Sequence, residues 1–297
     1  MKIDSAFQIG KTHDICQDFA LTSRNDSPLT YTVVSDGCSS SLDTDIGSRI
    51  LACSTTQQLE HIVHQTDNLN SFNPEVGIVQ ACHVCDALNL SSRAADATLL
   101  IAAVINGRTQ IRVLGDGTIA IGTKDGEIVV IDFAYPGGYP FYMSYLPQCS
   151  KEFSNWDSKY SQCDITVSII KKDGIDKFDS FTGDNDFFTN SADKPSLLIL
   201  GSTYDKRITI GDYFDKVQWV ALMSDGIHSF YEAKNLGTSI VNDDIDYIDV
   251  IQEVLNFKNF NGKFMQRRLN RFLKFCAKNN WYHADDISFG TIYFGDK

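Results

Sequence analysis

Apolar residues recur every three to four positions over residues 43–65, where Ile46, Ile50, Leu51, Leu59, Ile62 and Val63 mark one face. That spacing predicts a helix, and Asp43, Thr44 and Asp45 are short polar side chains suited to cap its start. The same period returns over 76–90 through Ile78, Ala81, Cys82, Cys85 and Leu88. It returns again over 264–278 through Met265, Leu269, Phe272, Leu273 and Cys276, so two further amphipathic helices are expected. Between the second and third helices the pattern changes. Residues 98–105 form a nearly unbroken apolar run, Asn106-Gly107 is a hairpin signal, and 110–114 reads as the returning strand. Residues 118–121 and 127–133 extend this meander, joined by the turn residues Lys124-Asp125-Gly126. Residues 31–34, 216–223 and 287–294 carry further strand patterns. From 135 to 215 the pattern weakens around Pro136-Gly137-Gly138 and Asp184-Asn185-Asp186. That stretch is read as an irregular flap or insertion, with strands at 165–170 and 197–200.

Two helices, a meander, a helix and a closing strand do not alternate as βαβ units do. The order predicts an α+β chain of antiparallel sheets covered by helices. No repeat, low-complexity tract or linker interrupts it, so residues 1–297 are expected to form a single domain.

With 43% hydrophobic residues the chain can bury a sizeable core, and its net charge of −12 argues against nucleic acid as a main partner. No apolar run approaches the roughly 18 residues of a membrane span, and Met1-Lys2-Ile3-Asp4-Ser5 lacks the apolar stretch of a signal peptide. A cytoplasmic protein without membrane contact is expected, its eight cysteines reduced. Cys82 and Cys85 form a CxxC, but both fall on the apolar stripe of the second helix and read as core thiols rather than as zinc or redox ligands. His61 and His64 share a helix face with no second pair of soft ligands following, and read as helix surface.

Two apolar runs end on the same signal, Ser35-Asp36-Gly37 and Ser224-Asp225-Gly226. Each looks like a strand that stops on a carboxylate, with a glycine allowing close backbone approach to a ligand. Asp285-Asp286 and Asp18 are further acidic positions. Any one of these aspartates alone suits a turn or cap. Together, spread along most of the chain, they suggest a Mg²⁺ or Mn²⁺ centre assembled by folding, because those ions prefer oxygen ligands.

The ordered blocks 10–19 (GKTHDICQDF), 33–47 (VVSDGCSSSLDTDIG), 96–99 (DATL), 115–117 (GDG), 223–227 (MSDGI) and 284–288 (ADDIS) resemble the metal-dependent protein phosphatase 2C family. The resemblance implies two packed antiparallel sheets sandwiched between helices, with two metal ions at one edge and a weaker third. It implies that Asp36 bridges the ions, that the Gly37 carbonyl, Asp225 and Asp285 complete the coordination, and that Asp18 holds metal-bound water. Asp96 is a loose match for a third-ion ligand, and Asp286 stands where the family has Asn. The implied activity is hydrolysis of phosphoserine or phosphothreonine on proteins by a metal-bridged water, opposing a serine/threonine kinase. Independently, two divalent ions about 4 Å apart can bridge a water, lower its pKa and neutralise phosphoryl charge.

Two positions depart from the family. His13 replaces a phosphate-gripping Arg, which predicts weaker phosphate binding that falls as pH passes about 7. Gln17 replaces a Glu, removing one negative charge near the centre. The alternative is a catalytically weak regulatory or binding module on the same fold. Gly115-Asp116-Gly117 is read as a tight turn within the meander. Gly10-Lys11-Thr12 imitates the end of a nucleotide-binding loop but lacks its first glycine, Ser5 standing there. Arg267, Arg268, Arg271, Lys274 and Lys278 make the last helix basic, either a solvated face or a dock for an acidic or phosphorylated partner.

Overall fold

The computed structural model describes residues 1–24, 27, 29–66, 72–105, 108–135, 140–145, 163–181, 197–201, 205–210, 216–235 and 240–295. Pro136-Gly137-Gly138, Asn106-Gly107 and Asp184-Asn185-Asp186 lie outside them. All strand pairs among the described residues are antiparallel. One sheet runs in the order β1 (Lys2–Gln8), β16 (Ile287–Tyr293), β12 (Val217–Met223), β6 (Gly117–Thr123), β7 (Ile128–Ala134), β8 (Asp164–Lys171) and β9 (Gly174–Phe181). A second runs β10 (Leu197–Gly201), β11 (Asp205–Ile210), β5 (Arg108–Leu114), β4 (Leu99–Ile105), β3 (Thr30–Ser35) and β2 (Phe19–Thr22). A small third sheet joins β14 (Ile240–Asp244), β13 (Phe230–Asn235) and β15 (Trp281–His283).

Strand alternation divides the apolar residues between two cores. On β6, Ile119 and Ile121 join Val34, Leu100, Ile111 and Leu222 between the two large sheets, while Ala120 faces the other way with Val130, Ala221 and Phe289. Helices α1 (Thr44–Thr66) and α2 (Pro74–Ala87) add Leu51, Leu59, Ile78 and Ala81 to the first core. Helices α3 (Tyr247–Val254) and α4 (Phe264–Lys278) add Ile248, Ile251, Leu269 and Phe272 to the second. The layers are helices, sheet, sheet and helices, as the sequence predicts. Each fully buried side chain of this size contributes roughly 1.5–3 kcal/mol.

Local chemistry fixes the helix starts. Asn73 accepts from the Glu75 N–H ahead of Pro74 at the head of α2, and Asp246 accepts from the Ile248 N–H to start α3. The first turn of α4 is capped from far away: Met265 and Gln266 donate to Asp4 Oδ2 on β1 at 2.7 and 3.2 Å. Cys85 is buried, its thiol pushed up to about 11 by that burial, and Cys82 packs partly buried against the first core. His61 is exposed on α1; the His64 side chain lies outside those described.

The expected four-strand meander is two hairpins in different sheets. β4 and β5 pair in one, with Ile105 opposite Arg108, and β6 and β7 pair in the other. The chain crosses between them at Gly115 (φ 97°) and Gly117 (φ 132°), left-handed conformations that favour glycine. A Cβ at 115 would also meet Thr98 at 2.8 Å, and one at 117 the Met223 carbonyl at 2.8 Å. Asp116 sits on the crossing itself.

Candidate metal centre

The crossing brings Asp116 to the edge of the sandwich where β3 and β12 also end. Asp36 follows β3, Asp225 follows β12, Asp18 precedes β2, and Asp285 lies in the loop from β15 to β16. The sequence-predicted residues therefore converge. Asp36 is fixed by its backbone: its carbonyl accepts from the Thr98 N–H at 2.8 Å and its N–H donates to Thr98 Oγ1 at 3.3 Å. Gly37 forms a single β-bridge with Ala97. Gly226 lets the loops bearing Asp225 and Asp285 touch, because a Cβ there would lie 1.7 Å from the Asp286 carbonyl oxygen.

Asp36 faces the carboxylates of both Asp18 and Asp225. Burial, then the charges of Asp18 and Asp225, push its carboxyl well above the usual range. Burial and the Asp225 charge do the same to Asp116, and burial and Asp225 raise Asp285 against the opposing pull of His13. Burial lifts Asp18 to about 7 despite a 2.6 Å hydrogen bond from Ser224 Oγ to its Oδ2. Ser224 is itself held by the Ser288 N–H at 2.9 Å. The other oxygen, Asp18 Oδ1, is buried and accepts from no donor among the described residues.

Among the described residues no three His, Cys, Asp or Glu side chains are gathered ready to hold an ion. The chemistry of the donor set nonetheless fits hard divalent cations: carboxylate oxygens drawn from five chain segments raise one another's affinity for positive charge, and a buried oxygen lacks a donor.

The neighbouring positions are occupied differently. His13 stands at the site with Nε2 3.5 Å from Asp285 Oδ1 and Nδ1 3.1 Å from Asp286 Oδ1. Asp286, 1% exposed, also accepts from the backbone N–H groups of Gly10 at 2.7 Å and Gln17 at 2.6 Å, so it clamps the N-terminal segment. Gln17 donates to Thr44 Oγ1 at 2.7 Å and to the Cys38 carbonyl at 3.5 Å, tying that segment to the start of α1. Asp96 is fully buried and accepts from Ser41 Oγ, Ser144 Oγ and Arg93 Nε. The Gly-Lys-Thr segment cradles no phosphate in this arrangement: the Gly10 N–H is taken by Asp286, and those of Lys11 and Thr12 by the carbonyls of His283 and Ala284.

Asp116, expected in a tight turn within one meander, lies instead on the crossing between two sheets. Its signal was the pair of glycines around it, which a hairpin and a crossover share.

The family model of protein phosphatase 2C matches residues 10–274. Among solved structures, the chain is similar to a bacterial serine phosphatase at 14% identity and a TM-score of 0.53, covering 100% of this chain and 99% of that one. It is similar to the serine/threonine phosphatase Stp1 from Staphylococcus aureus at 13% identity and a TM-score of 0.50, covering 100% and 96%. At these identities the likeness is one of fold. No curated protein sequence matches the chain.

Proposed function

The chain belongs to the protein phosphatase 2C family, and we propose that it hydrolyses phosphoserine or phosphothreonine on proteins with the help of Mn²⁺ or Mg²⁺. The supporting observation is the crowd of aspartates at one sandwich edge, pushing one another's carboxyl groups up beside the donorless Asp18 Oδ1. In this reading Asp36, the Gly37 carbonyl, Asp225 and Asp285 hold two divalent cations, and Asp116 lies close enough to serve a third. Cations bound there supply Lewis acidity toward water and the phosphoryl group.

The chain's own residues do the positioning. Asp18, aimed by Ser224 and Ser288, offers Oδ1 as an acceptor for a water proton inside the site. His13, between Asp285 and Asp286, orients Asp285, and its Nε2 is the nitrogen that would turn from Asp285 to an incoming phosphate, since Nδ1 is buried against Asp286. The substrate is a protein that a serine/threonine kinase has modified.

The test is hydrolysis of a small aryl phosphate and a phosphothreonine peptide by wild type and Asp225→Asn, with and without Mn²⁺. Metal-dependent turnover that disappears in the variant supports the hydrolase. Metal binding without turnover in wild type would overturn it in favour of a regulatory module.

A further inference from the structure

Of the four described α-helices, α4 alone carries no acidic residue: α1 has Asp45 and Glu60, α2 Glu75 and Asp86, and α3 Asp249 and Glu253. In a chain of net charge −12 this concentration of cations runs against the rest of the composition. The structure divides its five basic residues by role. Arg267 donates to Asn259 Oδ1 at 3.0 Å, and Arg268 donates to the Val254 carbonyl at 3.2 Å and lies 3.8 Å from Glu253. Arg271, Lys274 and Lys278 are exposed, and among the described residues no carboxylate pairs with them. Their spacing sets them in one stripe, opposite the buried stripe of Phe264, Met265, Leu269, Phe272 and Cys276.

This stripe has a defined position relative to the acidic site. The Phe230 ring lies 5.4 Å from Phe272 on α4 and 5.2 Å from His283 on β15. The buried face of α4 is thus linked through Phe230 to His283, two residues before Asp285, and the basic stripe lies on the helix's outer face. The two ring-to-ring steps, one helix diameter of about 10 Å and two residues of about 3.3 Å each give a span of up to roughly 27 Å, or about eight extended residues.

We infer that the Arg271, Lys274 and Lys278 face of α4 docks an acidic segment of the phosphoprotein substrate lying about eight residues from the phosphorylated side chain. This rests on the phosphatase reading and narrows its substrate class. A phosphorylated, acid-flanked segment is repelled by most of so acidic a molecule, and this face supplies the complementary charge.

The experiment compares phosphothreonine peptides carrying three aspartates about two, eight or sixteen residues from the phosphate with a neutral peptide and a small aryl phosphate. Wild type should show kcat/KM about tenfold higher for the eight-residue spacing than for the neutral peptide, fading at about 0.5 M salt. The Arg271→Glu, Lys274→Glu, Lys278→Glu variant should lose that preference and keep its aryl phosphate turnover. A preference unchanged in the variant, or no preference in wild type, overturns the docking surface. If aryl phosphate is not turned over at all, the phosphatase reading fails instead. Fluorescence anisotropy of the same labelled peptides then tests the surface alone, and equal binding by wild type and variant overturns it.

Discussion

Asp36 and Asp96 stand one residue before the two ends of the same β-bridge, Gly37 with Ala97, yet they live in opposite surroundings. Asp96 is met by two hydroxyls and the Arg93 guanidinium, so its charge is neutralised and its oxygens filled. Asp36 is met by Asp18 and Asp225, carboxylates that push its pKa well upward. A buried charge that finds donors holds a fold together, and a buried charge that finds only its own sign is reserved for something that arrives later. The residue type is the same in both; the neighbours assign the role.

Substitution should separate the two environments sharply. Asp225→Asn is expected to lower kcat/KM for an aryl phosphate by at least about 10³-fold. Its melting temperature in EDTA should stay level or rise, since a repelling charge is gone. A drop of several degrees would show that the cluster is structural after all. Asp96→Ala should do the reverse, costing about 2–4 kcal/mol in urea unfolding by leaving the buried Ser41 and Ser144 hydroxyls without their acceptor, with turnover per folded molecule within a few-fold of wild type. Equal damage to stability from both variants would dissolve the distinction.

The pH dependence sharpens the same contrast. Because Asp18 is raised from 3.8 to about 7, the folded state holds its proton more tightly than the unfolded chain does. That stability is fully present below pH 3.8 and is lost as pH rises through about 7. In EDTA, melting temperature should therefore fall by a few degrees between about pH 4 and 7 and level off above that. Asp18→Asn or saturating Mn²⁺ should flatten that slope, whereas Asp96→Ala should leave it. The smallest effect is expected at Gln17→Glu. The new carboxylate cannot donate to the Cys38 carbonyl, and about 1 kcal/mol should be lost. A gain in stability there would contradict the tether between this segment and α1.

Much of this was legible in the sequence where one face of an element is apolar. The stripe of Met265, Leu269, Phe272 and Cys276 gave α4 its full length, and the apolar runs before Asp36 and Asp225 marked β3 and β12. Where burial is shallow the signal was lost. β1 is mostly part-exposed, and the third sheet contains Glu232, Lys234, Asn242 and Asp243, so neither alternates cleanly. The short α3 has a cap and four buried residues, too brief a pattern to separate from a strand. β9 and β11 lie within the stretch read as irregular, where only their hairpin partners showed an apolar run. The crossing at Asp116 was illegible for a topological reason: local pattern cannot say whether two strands flanking a glycine pair belong to one sheet or two.

The strand order β1-β16-β12 also orders events in time. β1, synthesised first, has no described sheet neighbour until β16 enters between it and β12, with Lys2 opposite Tyr293. Contacts so distant along the chain close slowly. A ribosome-bound nascent chain made only as far as α4 lacks both Asp285 and the neighbour that anchors β1. The proposed metal site would then be complete only after β16 has emerged, and the partly made molecule would stay silent until that point.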